Sequence, residues 1–81
     1  MNNMMIDSII SDLIKHAMWT NDNANKSDIN RNHVNYGATT AYANMLRNFG
    51  VNVDVPVYGD GELLRIPKMA IDARIIKFEH L

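Results

Sequence analysis

The hydrophobic period of the chain changes at Gly50, and that change constrains the fold more than any other feature. Before it, Val34, Ala38, Ala41, Tyr42, Met45, Leu46 and Phe49 recur at the three- and four-residue spacing of one helical face. After it, Val51, Val53, Val55 and Val57 alternate with Asn52, Asp54, Pro56 and Tyr58, which is the period of a strand. Glycine enters the left-handed backbone region without a Cβ penalty. Gly50 after Phe49 therefore predicts a helix end, with Val51 closing the apolar contact that accompanies such a cap.

Upstream, Ile6, Ile9, Ile10, Leu13, Ile14, Ala17 and Met18 share one face of an amphipathic helix expected over Met4 to Met18, with Asn2 or Asn3 capping it. Trp19 to Arg31 reads as a loop, because Asn21, Asp22, Asn23, Asn25, Ser27 and Asp28 favour local side-chain-to-backbone bonds over helix. Ser27 or Asp28 is a candidate cap for the second helix, as are Asn32 and Asn35 for a later start. Downstream, Gly59-Asp60-Gly61 is a turn, and Glu62 to Ile66 a second strand that Pro67 bends or ends. Asp72-Ala73 is a tight turn, and Arg74 to Phe78 a third strand. Pro56 lacks a backbone donor, so the valine strand is expected at an edge or with a bulge there. The expected architecture is α+β over residues 1–81: two helices packed on a three-stranded antiparallel sheet, in the order α-α-β-β-β.

An 81-residue chain buries only about 60–65% of the surface that its unfolded form exposes, so added buried area is valuable. There is no cysteine to form a disulfide. Self-association is therefore expected, and the composition suits the reducing cytoplasm. The net charge of −1 argues against a dedicated nucleic-acid binder. No segment approaches the roughly 20 apolar residues of a membrane span.

The sequence offers no catalytic constellation, metal set or cofactor motif. His16, His33 and His80 are isolated from one another, and Asp12 with His16 reads as a solvated pair one helical turn apart. Asn21, Asn23 and Asn25 have the spacing of the start of a calcium loop. Lys26 then stands where the sharp turn needs glycine, and Asn32 where a closing glutamate belongs. Gly59-Asp60-Gly61 leads into a strand rather than a helix N-terminus, unlike a phosphate loop.

The candidate contact residues lie in the predicted sheet and at the loop ends. Leu63-Leu64 and Ile75-Ile76 place adjacent apolar residues on opposite faces of their strands. If Leu64, Ile66, Ile76 and Phe78 face the helices, then Leu63, Arg65, Ile75 and Lys77 form a partly apolar, partly basic outer face. Tyr58 and Trp19, beside loops, are aromatic anchors of the kind enriched at interfaces.

Asparagine is over-represented, with eleven residues in the 81. The helix-to-strand stretch from Tyr42 through Phe49-Gly50 to Ile66, in so short and asparagine-rich a chain, resembles the small accessory proteins of bacteriophages and mobile elements. The resemblance implies a non-enzymatic protein that binds and blocks a host protein. An anti-defence inhibitor such as an anti-CRISPR protein, acting on a defence nuclease complex, is the expected type. The alternative from the residues is an oligomeric binder of a small anionic ligand, such as a signalling nucleotide, with Arg65, Arg74 and Lys77 supplying charge.

Overall fold

The structure, a computed structural model, describes residues 3–67, 69–71 and 76–78. Helix α1 spans Asn3–Asn25 and α2 spans Ile29–Asn48. Among the described residues five short strands follow: β1 (Val53–Asp54), β2 (Tyr58–Asp60), β3 (Leu63–Arg65), β4 (Met69–Ile71) and β5 (Ile76–Phe78). The fold is α+β, with the helices first and the strands after them. All strand pairs are antiparallel. A three-stranded sheet has the order β1-β4-β5, and β2 with β3 forms a hairpin between β1 and β4 in the chain.

The expected loop over Trp19–Arg31 is helix except for a turn at Lys26-Ser27-Asp28. Local asparagine preferences lose here to tertiary contacts. Thr20, Asn21, Ala24 and Asn32 are all buried, and they continue the faces begun by Leu13 and Ala17 on α1 and completed by Ala43 and Leu46 on α2. Trp19 accordingly lies within α1 and not beside a loop.

Both helices end in the same way. At the end of α1, Asp28 N–H donates to the Asn23 carbonyl (2.9 Å) and Ser27 N–H to the Ala24 carbonyl (3.0 Å). At the end of α2, Val51 N–H donates to the Leu46 carbonyl (2.9 Å) and Gly50 N–H to the Arg47 carbonyl (3.0 Å). These are paired Schellman bonds, with Ser27 (φ 56) and Gly50 (φ 81) in the left-handed position. Val51 and Leu46 are both buried and supply the apolar contact. Asp28 then caps α2, its carboxylate accepting from Arg31 N–H at 3.2 Å.

The buried face of α2 differs from the expected one. Asn32, Thr39, Ala43 and Leu46 point inward. Of the expected core set, Val34, Met45 and Phe49 are exposed among the large residues, at 71%, 42% and 48%. Hydrogen bonding makes the polar side tolerable inside: Thr39 Oγ1 donates to the Asn35 carbonyl at 2.8 Å, and Asn32 is fully paired. Among the described residues no buried side-chain nitrogen or oxygen lacks a partner.

The valine strand divides at Pro56. Val51 and Val53 are buried, whereas Val57 and Tyr58 are exposed. Proline lacks the donor that would carry one ladder through, so β1 stops at Asp54 and pairs with β4, while β2 starts at Tyr58 and pairs with β3. The turn falls at Gly61-Glu62 rather than at Gly59-Asp60-Gly61. Gly61 has φ 66 and Glu62 does not have a positive φ, which is the sign pattern of a type II′ hairpin. Arg47 ties β1 to the end of α2 through Nε (3.1 Å) and Nη2 (2.7 Å), both donating to the Val53 carbonyl. The core joins Ile6, Ile10, Leu13 and Ala17 of α1 to Ala43, Leu46, Val51, Val53, Ile66 and Met69. The expected turn at Asp72-Ala73, Arg74 and Ile75 lie outside the described residues.

The two caps respond oppositely to substitution. Ser27→Gly removes a left-handed side chain and is expected to stabilise by about 0.5–1 kcal/mol, while Gly50→Val is expected to destabilise by about 1 kcal/mol or more. No atom lies within 4 Å of a Cβ added at Gly50, so the effect there is one of backbone conformation. Thermal melting of the two variants measures both signs.

Candidate interaction surface

The attachment of the hairpin decides which groups the surface presents. Backbone polar groups alternate sides along a strand. In the register Tyr58↔Arg65, Gly59↔Leu64, Asp60↔Leu63, the side of β3 away from β2 carries the N–H and C=O of Leu64, and Ile66 continues that edge. Two asparagine side chains meet it. Asn32 Nδ2 donates to the Leu64 carbonyl (2.9 Å), and Asn32 Oδ1 accepts from Leu64 N–H (2.8 Å). Asn21 does the same for Ile66, both bonds at 2.8 Å. The second Nδ2 hydrogen of Asn32 goes to the Thr20 carbonyl at 2.8 Å, joining α2 to α1.

The helices thus receive β3 by its edge. Leu63, Leu64 and Arg65 are each half-buried, so neither side of this strand is the wet face that alternation predicted. Ile66 alone of the group is fully buried.

The six residues expected to bind fall into three groups. Tyr58, Leu63 and Arg65 share the hairpin, with Tyr58 exposed at 51% and opposite Arg65. Arg65 is engaged: Nη1 donates to Asn25 Oδ1 (2.7 Å), and Nε lies 3.3 Å from Asp60 Oδ2. These contacts reduce its availability to a free anion. Trp19 stands elsewhere, two residues from Asn21 and so about 200° around α1 from the clamp. Ile75 lies outside the described residues. Lys77 is in β5 opposite Ala70, and its side chain is not described.

Around Trp19, the His16 ring meets the indole edge-on at 5.0 Å and 75°, and tilts against Tyr42 at 5.1 Å. Lys15 Nζ sits 5.9 Å from the indole centroid. His16 Nδ1 contacts the Asp12 backbone carbonyl at 2.6 Å, so the expected partnership runs through the main chain and not the carboxylate. A carbonyl only accepts, which assigns the proton to Nδ1. Lys15, Met18, Trp19 and Asp22 line an open hollow of about 200 Å³.

The face that the hydrophobic period assigns to the wrong side is on α2. Val34, Ala38, Ala41 and Met45 follow one another at spacings of four, three and four, on the side away from Asn32, Thr39 and Leu46. Gly37 and Ala41 lie four apart along it, and no atom is within 4 Å of a Cβ added at Gly37. The periodicity of this stripe was visible in the sequence, but it pointed to the core. The signal for the true core was the run Leu13, Ala17, Thr20, Ala24, which carries the α1 face through the supposed loop.

Asn21→Ala leaves the N–H and C=O of Ile66 buried without partners. It is expected to destabilise by about 2–4 kcal/mol, whereas Asn30→Ala, at an exposed position, changes stability by no more than about 0.5 kcal/mol. Urea denaturation of both variants checks the contrast. Among the described residues no three histidine, aspartate or glutamate side chains converge as metal ligands, and no helix is long and apolar enough to cross a membrane. No protein-family model matches the chain, and neither a curated protein nor a solved structure matches it.

Proposed function

We propose that the chain is a non-enzymatic protein-binding module whose contact surface is the outward stripe of α2. One observation carries this reading. The helix turns Asn32 and Thr39 inward and leaves Val34, Ala41 and Met45 outside. An amphipathic helix ordinarily does the reverse. A row of exposed apolar side chains at helical spacing suits the groove of another protein. Met18 and Trp19 on α1 add exposed, adaptable apolar surface of the kind that accommodates varied partners.

In this reading the protein works in the cytoplasm, and the resemblance to phage accessory proteins supplies the partner class: a host protein blocked by occlusion, as an anti-defence inhibitor acts. A second copy of the chain is the competing occupant of the same stripe. The double variant Val34→Glu, Met45→Glu separates folding from binding. It replaces exposed side chains, so its melting temperature is expected to stay within a few degrees of wild type. Capture from host lysate with immobilised wild type and variant, and light scattering of both at micromolar concentrations, follow. Loss of a specific captured protein in the variant supports occlusion. Loss of a wild-type oligomer assigns the stripe to a second copy. Identical capture and identical mass for both proteins contradict the reading.

A further inference from the structure

The β2–β3 hairpin differs from the rest of the fold in what holds it. The two prolines of the chain, Pro56 and Pro67, stand on either side of it. Neither can donate to a ladder, and the hairpin shares no ladder with the three-stranded sheet. Among the described elements β2 touches β3 and no other, so of the two hairpin strands only β3 meets the helices.

No side chain from Val57 to Arg65 is fully buried. Val57 to Glu62 are exposed, and Leu63 to Arg65 are half-buried. The bonds that hold this segment are polar. Asn32 grips Leu64 through two bonds, His33 Nε2 donates to the Glu62 carbonyl at 2.6 Å, and Arg65 reaches Asn25. Water can replace each of these bonds, and the only apolar side chains that opening uncovers are Leu63 and Leu64, both already part-exposed. Ile66 is different. It is fully buried in the core cluster and is held by Asn21 on both its N–H and its C=O.

We propose that residues 57–65 form a strap that opens as a unit about Pro56 and Ile66–Pro67, with Asn32 as the latch and Asn21 as the fixed anchor. Opening leaves the α1–α2 pair, Ile66 and the three-stranded sheet in place. It moves Tyr58, Leu63 and Arg65 together and frees the amide of Asn32, which reads a strand edge when the strap is closed. The inference is independent of the stripe on α2.

The Leu64 and Ile66 amides make a controlled pair. Each donates to an asparagine side-chain oxygen at 2.8 Å, and they are two residues apart. Native-state hydrogen exchange of the wild-type protein, followed by NMR at increasing low concentrations of urea, distinguishes them without any variant. After correction for intrinsic rates, the Leu64 amide is expected to exchange at least tenfold faster than that of Ile66. Its rate should rise much less steeply with urea than those of core amides, since opening the strap exposes far less surface than unfolding the molecule. The Ile66 rate should rise steeply, together with those of core amides such as Leu46. Equal rates for Leu64 and Ile66, with the same steep dependence on urea, would overturn the strap, because the hairpin would then open only with the whole molecule.

Discussion

Two neutral amides, Asn21 and Asn32, take the place of a neighbouring strand along the edge of β3. Each offers a donor and an acceptor at the spacing of one residue's N–H and C=O, and each satisfies both. Aspartate would bring acceptors and charge where one partner is itself a carbonyl. Leucine would leave two buried main-chain groups unpaired, a loss of about 1–3 kcal/mol for each group. Glutamine has the same amide on a longer stem, which would displace β3 from the helices. The residue type is thus dictated by what an unpaired strand edge requires when a helix covers it.

Much of the remaining geometry follows. For Asn21 to reach Ile66, α1 must continue past Met18. For Asn32 to reach both Leu64 and the Thr20 carbonyl, α2 must begin at once after a tight turn and face inward with its polar side. The three-residue turn at Lys26-Ser27-Asp28 meets the first demand by placing Ser27 in the left-handed region. The second demand rotates α2 so that Val34 and Met45 point to solvent. A polar clamp inside and an apolar stripe outside are two sides of one rotation, linked by the helical repeat.

The features legible in the sequence were those decided by backbone chemistry. Gly50 and Val51 marked the end of α2, Pro56 marked the valine strand as an edge or bulged one, which the structure resolves as an edge strand β1 that stops before the proline, and the change of period separated helices from strands. The features that were not legible depended on partners distant in the chain. Asn21 and Ile66 are 45 residues apart, and Asn32 and Leu64 are 32 apart. Locally the asparagines of 21–32 favour turns, and the strand edge met by Asn21 and Asn32, together with the burial of Thr20 and Ala24, makes the segment helical. Hydrophobic periodicity misassigned α2 for the same cause: it ranks side chains by transfer free energy and has no term for a buried amide whose hydrogen bonds are all satisfied. Among the expected contact residues, pairing brought Tyr58 and Arg65 together across the hairpin, while Trp19 lies on the opposite side of α1 from the clamp.

The hydrogen bonds between the asparagine side chains and the main chain of Leu64 and Ile66 can be detected directly. Through-hydrogen-bond scalar coupling in isotopically labelled protein connects an amide nitrogen to the carbonyl carbon that accepts its proton. A coupling is expected from Leu64 N to the side-chain carbonyl carbon of Asn32, and another from Ile66 N to that of Asn21. If both amides are protected yet couple to backbone carbonyls instead, a strand and not an asparagine pair covers the edge of β3, and the rotation assigned to α2 has lost its cause.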